Sequence, residues 1–152
     1  MKNILVFTVI LSLELMNAQS NQNVGEFSSL KAYDQMTVKR YSSGENKGET
    51  NSNDVEIVNK KGELRIRMMP TMILQGKDTI VKVFYKRLCD IQASQGSTIL
   101  ADADLECKRL SLTSKEGSNI KVSVEADLLN IKTNSGGIIE VSGNAVPTKY
   151  DR

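Results

Sequence analysis

The sequence predicts an all-β chain, a parallel β-helix or related solenoid preceded by strands and a hairpin. Three observations carry this: a recurring unit of turn and strand, short runs that alternate with period two, and a composition thin in bulky side chains. The segments LCDIQASQGSTIL, RLSLTSKEGSNIKV and LLNIKTNSGGIIEV align on their turn residues. The alignment puts Ile91, Leu112 and Ile131 at one level and Ala93, Ser114 and Thr133 two residues on. Gly96, Gly117 and Gly136 then mark the turn, and Ile99, Ile120 and either Ile138 or Ile139 follow it. The glycines are spaced by 21 and then 19 residues, which suits one coil per repeat of a β-solenoid and not a helical repeat. In such a coil small residues make the corners, and each strand pairs with the coil about 4.8 Å above or below it. An antiparallel sheet with evenly spaced hairpins is the competing architecture.

In chain order, residues 1–18 read as an export signal: Lys2 supplies a positive start, ILVFTVILSL an apolar stretch, and MNAQS a small residue at a cleavage point after Ala18. That apolar stretch is too short to span a bilayer, which takes about 20 residues. Residues 19–152 are then a single domain, with N-terminal strands and a hairpin over 24–86 and coils over 88–145. FSSLKAY and MTVKRY alternate; the second sends Met36, Val38 and Arg40 one way and Thr37, Lys39 and Tyr41 the other. Ser42–Asp54 is polar and glycine-containing and reads as a long loop. VEIVNKKGELRIRM is a hairpin, with Gly62 free to take positive φ between Ile57 and the apolar face of Leu64, Ile66 and Met68. TMILQGKD leads into TIVKVFYKR, a strand with Val81, Val83 and Tyr85 on one face. No segment has a convincing helical period, and ADADLECKRL suits a strand or a coil corner.

Composition narrows the chemistry. With 20 basic and 18 acidic side chains interspersed, a net charge of +2 gives no field that would imply a nucleic-acid partner. The chain has no histidine or tryptophan and three phenylalanines, so its core is thin and aliphatic. Without histidine, nucleophilic triads fail, and two cysteines are too few for a closed zinc site. Cys89 and Cys107 occur in a chain read as exported, where a disulfide is permitted but the count does not demand one. The repeat register points Cys89 inward over Leu110 and sets Cys107 three residues earlier on the next coil. That placement does not plainly bring the sulfurs within bridging range, so a bridge and two free thiols both stay open.

Asp102, Asp104 and Glu106 alternate in ADADLE and would put three carboxylates on one side of an extended segment, the pattern that holds Ca²⁺ or serves as an acid/base pair. A solvated corner offset by Lys108 and Arg109 accounts for them better, and no tryptophan platform is present for a sugar hydrolase. Gly136-Gly137 lacks the lysine and the helix of a phosphate loop, so turn chemistry explains it. Tyr33, Tyr41, Tyr85 and Tyr150 are candidate contact residues, but three of them fall in the N-terminal strands, where packing over the first coil is the better use. No cofactor is expected.

Taken together, VGEFSSLKAYDQMTV, the hairpin VEIVNKKGELRIRM, LCDIQASQGSTI, TSKEGSNIKVSV and NIKTNSGGIIEVSG resemble in order and spacing the head GIN domain family of auto-transporter adhesins, common in exported proteins of Bacteroidetes. The resemblance spans about Val24 to Ala145. It implies an all-β, right-handed β-helix-like domain with an adhesive or cell-surface role and no catalytic residues to carry over. Family members generally add coils after the VSGNA level, so C-terminal coils are missing here, or the last coil presents an open edge that takes a partner or cap. The expected protein is a non-enzymatic β-solenoid, located in the periplasm, on the outer surface or secreted. It would bind carbohydrate or protein through its faces or ends. The competing readings are a structural element that self-associates through a coil edge, and a polysaccharide-active β-helix enzyme with its carboxylates at Asp102 to Glu106.

Overall fold

The computed structural model describes residues 20–101 and 103–151. The expected export signal and Asp102 lie outside them. The fold is all-β, an open and strongly curled half-barrel sheet. Its strands are β1 (Ser20–Asn23), β2 (Ser29–Ala32), β3 (Thr37–Ser42), β4 (Lys47–Thr50), β5 (Val55–Lys60), β6 (Glu63–Met68), β7 (Ile80–Tyr85), β8 (Asp90–Ala93), β9 (Thr98–Ala101), β10 (Leu105–Lys115), β11 (Asn119–Asn134) and β12 (Ile138–Asp151). They hydrogen-bond in the order β1-β4-β7-β3-β9-β11-β10-β8-β2-β6-β5, with β12 alongside β11. A 3-10 segment, Pro70–Asp78, links β6 to β7.

The curl comes from one unit used several times: a strand, a tight corner, then a second strand facing the first across the core. β2 turns into β3 through Asp34-Gln35, β8 into β9 through Gln95-Gly96, and β10 into β11 through Glu116-Gly117. β11 turns into β12 through Ser135-Gly136. All eight corner residues have φ between +49° and +80°. Two successive left-handed residues reverse a chain in the way a type I′ turn does, and glycine adopts that conformation without a Cβ penalty. Stacking the units makes the strands parallel. Leu112 lies opposite Ile91 on one side and Ile131 on the other, and across the core Ile120 lies between Ile99 and Ile139.

The same register runs further toward the N-terminus than the glycine repeat indicates. Leu30 pairs with Ile91 and Leu64, and Val38 with Ile99 and Val81, all in parallel. Thus β2–β3 and β6–β7 are also strand-corner-strand units. Their corners carry no glycine repeat, because one is Asp34-Gln35 and the other is the nine-residue 3-10 segment. Antiparallel pairing is confined to the N-terminal margin, where β5 pairs with β6 in the expected hairpin and β4 pairs with β1 and β7. The stretch expected to be a long loop, Ser42–Asp54, therefore contains strand β4. Lys47 and Glu49 form an ion pair on its outer side while Gly48 faces in against Ile57, where a Cβ would crowd the Ile57 side chain.

Alternation fixes what enters the core. Leu30, Leu64, Ile91 and Leu112 are fully buried, as are Val38, Val81, Ile99 and Ile120, and each such side chain contributes about 1.5–3 kcal/mol relative to exposure. Near the corners the interior turns polar, and its buried serines are hydrogen-bonded. The Ser97 hydroxyl donates to the Ala32 carbonyl at 3.0 Å, and the Ser118 hydroxyl donates to the Ala93 carbonyl at 2.8 Å, each linking one unit to the unit before it. At the next level the equivalent residue is Gly137, which lies so close to Ser114 that a Cβ would overlap its carbonyl.

Cys89 and Cys107 form a disulfide with a Cα–Cα distance of 5.7 Å. The expected inward placement of Cys89 fails because period two breaks where the chain enters β8: Leu88 is the buried residue, and Cys89 is only half-buried. Its sulfur is thereby free to meet Cys107, on the part of β10 that precedes the register with β8.

Candidate functional site

β9 pairs with β11 as far as Leu100 and Lys121, β10 takes up the pairing with β11 at Leu105 and Val124, and β12 runs along the other side of β11. Beside this junction lies a groove of about 500 Å³. Its rows follow from register: Leu100, Lys121 and Glu140 lie side by side, then, two residues on, Ser123 beside Ser142. Lys121 and Glu140 form an ion pair at 3.5 Å. Ala101, Ala103, Val122 and Val141 supply the aliphatic part of the lining, and Asp104 closes one side. Hydroxyls, one ammonium and carboxylates over a shallow aliphatic floor can hydrogen-bond a polyhydroxylated or peptide ligand.

Of the three sequence-flagged carboxylates, Asp104 lines this groove; Glu106 is exposed beyond the buried Leu105. Among the described residues, no group of three or more acidic or cysteine side chains is placed to hold a metal ion. Gly96 and Gly117 occupy corners beside a second shallow surface lined by Gln35, Thr37 and Lys77, and Gly136 lies at the corner above. Ile91, Leu112 and Ile131 sit on the inner side of the sheet as one row, with no access to a ligand except at the half-buried Ile131. Tyr85 is buried and Tyr41 stacks on Phe84 with ring centroids 5.2 Å apart, whereas Tyr33 opens onto the surface. The Tyr150 side chain lies outside the described residues.

A charged cluster surrounds Tyr33 that the repeat did not flag. Glu63 accepts from Lys31 at 2.8 Å and from Arg65 Nε at 2.6 Å. These hydrogen bonds, Lys31's foremost, hold the Glu63 carboxyl below its ordinary range, and the Glu63 contact raises the Arg65 guanidinium. Strand alternation was the available signal, since ELRIRM sends Glu63, Arg65 and Arg67 outward together.

Residues 26–151 match the family model described as "Putative auto-transporter adhesin, head GIN domain". The chain belongs to this head GIN domain family. Solved structures from Bacteroidetes share its fold. A crystal structure described as a "putative adhesin" from Parabacteroides merdae ATCC 43184 superposes with a TM-score of 0.65 at 18% identity, over 88% of this chain and 56% of that one. Another so described, from Parabacteroides distasonis ATCC 8503, gives 0.63 at 20% identity, over 87% and 68%. A third, from the same organism and described as a "Putative lipid binding protein", gives 0.57 at 12% identity, over 84% and 66%. The head GIN chain thus spans little more than half of the Parabacteroides merdae protein. No curated protein shows significant sequence similarity to it. Among the described residues, no helix is long and apolar enough to cross a membrane.

Proposed function

We propose that residues 19–152, released from an export signal at 1–18, form a single non-enzymatic adhesion domain of β-solenoid architecture. It acts in the periplasm, on the outer surface or after secretion, and binds carbohydrate or protein through its outer faces. The observation that carries this reading is the family match over 26–151. The parallel register supports it, because it sets outward residues in rows such as Ser29, Asp90, Ser111 and Asn130, and a separate groove lies beside Asp104. Such surfaces suit many weak polar contacts to an extended ligand. The test is binding of the mature chain to a glycan array and to whole host and bacterial cells. Saturable binding that an excess of unlabelled chain displaces is expected, and its absence on every surface would refute the adhesive reading.

A structural, self-assembling role is the second reading. Among the described residues β12 pairs only with β11, and it leaves Ile138 and Val146 at 55% and 62% exposure. Light scattering across a hundredfold concentration range separates the two, since a constant monomer mass eliminates assembly through this strand.

A further inference from the structure

At the end of β2, the corner Asp34-Gln35, the end of β6 and the start of the 3-10 segment enclose a hollow of about 320 Å³. Its lining includes Tyr33, Asp34, Arg65, Arg67, Pro70 and Ile73. The walls are fixed. The Tyr33 N–H donates to the Ile66 carbonyl at 3.1 Å, and the Asp34 carboxylate accepts the Met68 N–H at 3.0 Å. Gly76 lies so tightly on the Asp34 carbonyl that any side chain there would overlap it. The 3-10 segment is therefore clamped to the corner near both of its ends. This corner alone among the four paired ones puts two non-glycine residues in the left-handed region, Asp34 at φ 60° and Gln35 at φ 61°. Strain of that kind is kept where surrounding structure imposes it, often at binding sites.

The chemistry of the hollow is two-sided. Glu63 and Glu56 accept from the Nε atoms of Arg65 and Arg67, at 2.6 and 2.7 Å, and orient guanidinium groups on side chains that stay 46% and 60% exposed. Among the described residues, the terminal nitrogens of both have no hydrogen-bond partner. Such a pre-set fork takes a carboxylate through two parallel N–H bonds. Opposite them the start of the 3-10 segment presents an apolar side, Pro70 and Ile73, with Ile73 45% exposed.

We propose that this hollow is a subsite for an extended acidic protein segment, one carboxylate on Arg65 and Arg67 and an apolar side chain two residues along against Tyr33, Pro70 and Ile73. Side chains i and i+2 of an extended chain share a face about 7 Å apart, which matches a wall of guanidinium donors beside an apolar one. A sugar ring would leave the apolar side in water. The proposal rests on the adhesive reading above and narrows it to a protein ligand.

The probe is a fluorescent octapeptide, acetylated and amidated, in which glutamate alternates with leucine, beside versions with glutamine for glutamate and serine for leucine. Anisotropy should show the glutamate-leucine peptide binding at least tenfold tighter than either counterpart. Amide resonances of Tyr33, Arg65, Arg67 and Ile73 should shift on binding. The double change Arg65→Gln with Arg67→Gln, and separately Ile73→Ser, should each weaken binding at least tenfold without altering the thermal melt; Lys31 remains to pair Glu63. Equal binding of the glutamine peptide, no binding at all, or the same resonances answering only to a galacturonate oligomer or to phosphatidylglycerol vesicles would overturn the proposal. Cell binding that persists in the arginine double variant, with no peptide binding, refutes the hollow and leaves the adhesive reading standing. Peptide binding with no cell or glycan binding does the reverse.

Discussion

Replacing Arg40 by methionine should stabilise the protein. Arg40 is 1% exposed, in the inner row between Val83 and Ala101. Its Nη1 donates to the Tyr85 hydroxyl at 3.3 Å, and its guanidinium lies 5.7 Å from the Tyr85 ring centroid. The Nε and the second terminal nitrogen are buried without partners. Each unmet buried donor costs about 1–3 kcal/mol, and a cation taken from water without a facing carboxylate costs several kcal/mol more. Dispersion contacts of the stem and the ring contact return part of this. Desolvation lowers the Arg40 guanidinium from its ordinary value. A base whose folded value is depressed destabilises the fold at every pH below that value, and the penalty lifts only as pH rises through it. For a guanidinium this range is beyond working conditions, so the penalty is present throughout.

Methionine has a comparable flexible stem and no donors, so Arg40→Met should gain about 1–4 kcal/mol, as replacing buried charge by apolar volume commonly does. The assay is urea unfolding followed by circular dichroism, with the midpoint rising and the slope unchanged. Tyr85→Phe supplies the check on mechanism. It removes the one acceptor Arg40 has among the described residues and should cost about 1–3 kcal/mol in the parent, but less than about 0.5 kcal/mol in the Arg40→Met background. A loss above about 1.5 kcal/mol for Arg40→Met at constant slope would refute the reasoning. It would mean that the guanidinium is compensated in a way its hydrogen bonds do not reveal.

Other expectations follow from the corners, the bridge and the ion network. Gln35→Gly should stabilise by about 0.5–1 kcal/mol by relieving left-handed strain net of the added chain entropy, and an unchanged melting temperature would count against it. Gly137→Ala should cost more than about 2 kcal/mol through overlap with Ser114, whereas Gly62→Ala, at φ 84° in open space, should cost only about 1 kcal/mol; paired urea melts test the order. Reducing Cys89–Cys107, which closes a loop of sequence separation 18, should cost about 3 kcal/mol, read as a fall in the urea midpoint with dithiothreitol that a Cys89→Ser, Cys107→Ser double variant reproduces without it. Because Lys31 and Arg65 depress the Glu63 carboxyl, its contribution is present above the ordinary carboxylate value near about 4.3 and is lost as pH falls through the depressed one. Glu63→Gln should therefore flatten the acid side of the stability profile, and superimposable profiles would refute the linkage.

What the sequence made legible was whatever repeats at a fixed offset from glycine. The alignment on Gly96, Gly117 and Gly136 set Ile91, Leu112 and Ile131 at equal offsets, and the structure puts these side chains on adjacent parallel strands. Two earlier units escaped it for a physical reason. Aspartate tolerates the left-handed region well enough to start a corner, so Asp34-Gln35 turns the chain with no glycine to mark it, and the β6–β7 corner was lengthened into a 3-10 segment. Strand β4 escaped because its inward side is Gly48 and Thr50, leaving no apolar alternation to read. Alternation did orient Arg40 inward, yet pattern alone cannot say whether a buried cation finds a counter-charge, since that depends on side chains brought in by other strands.

The same distinction separates the two candidate surfaces. The groove beside Asp104 was partly legible because one of its carboxylates lies in a conspicuous acidic run, but the pairing that brings β11 and β12 beside it is a tertiary event. The hollow beside Tyr33 joins residues from positions 33, 65, 67 and 73, and each is unremarkable within its own segment. Leu74 is the exception that local sequence could have exposed: an aliphatic in a run of Met, Ile and Leu with no strand partner to cover it. In a chain with so thin a core, each such residue left in water is withheld from folding. The apolar side chains most worth testing for function are therefore the ones the fold leaves out, Leu74 and Ile73 before any member of the buried ladders.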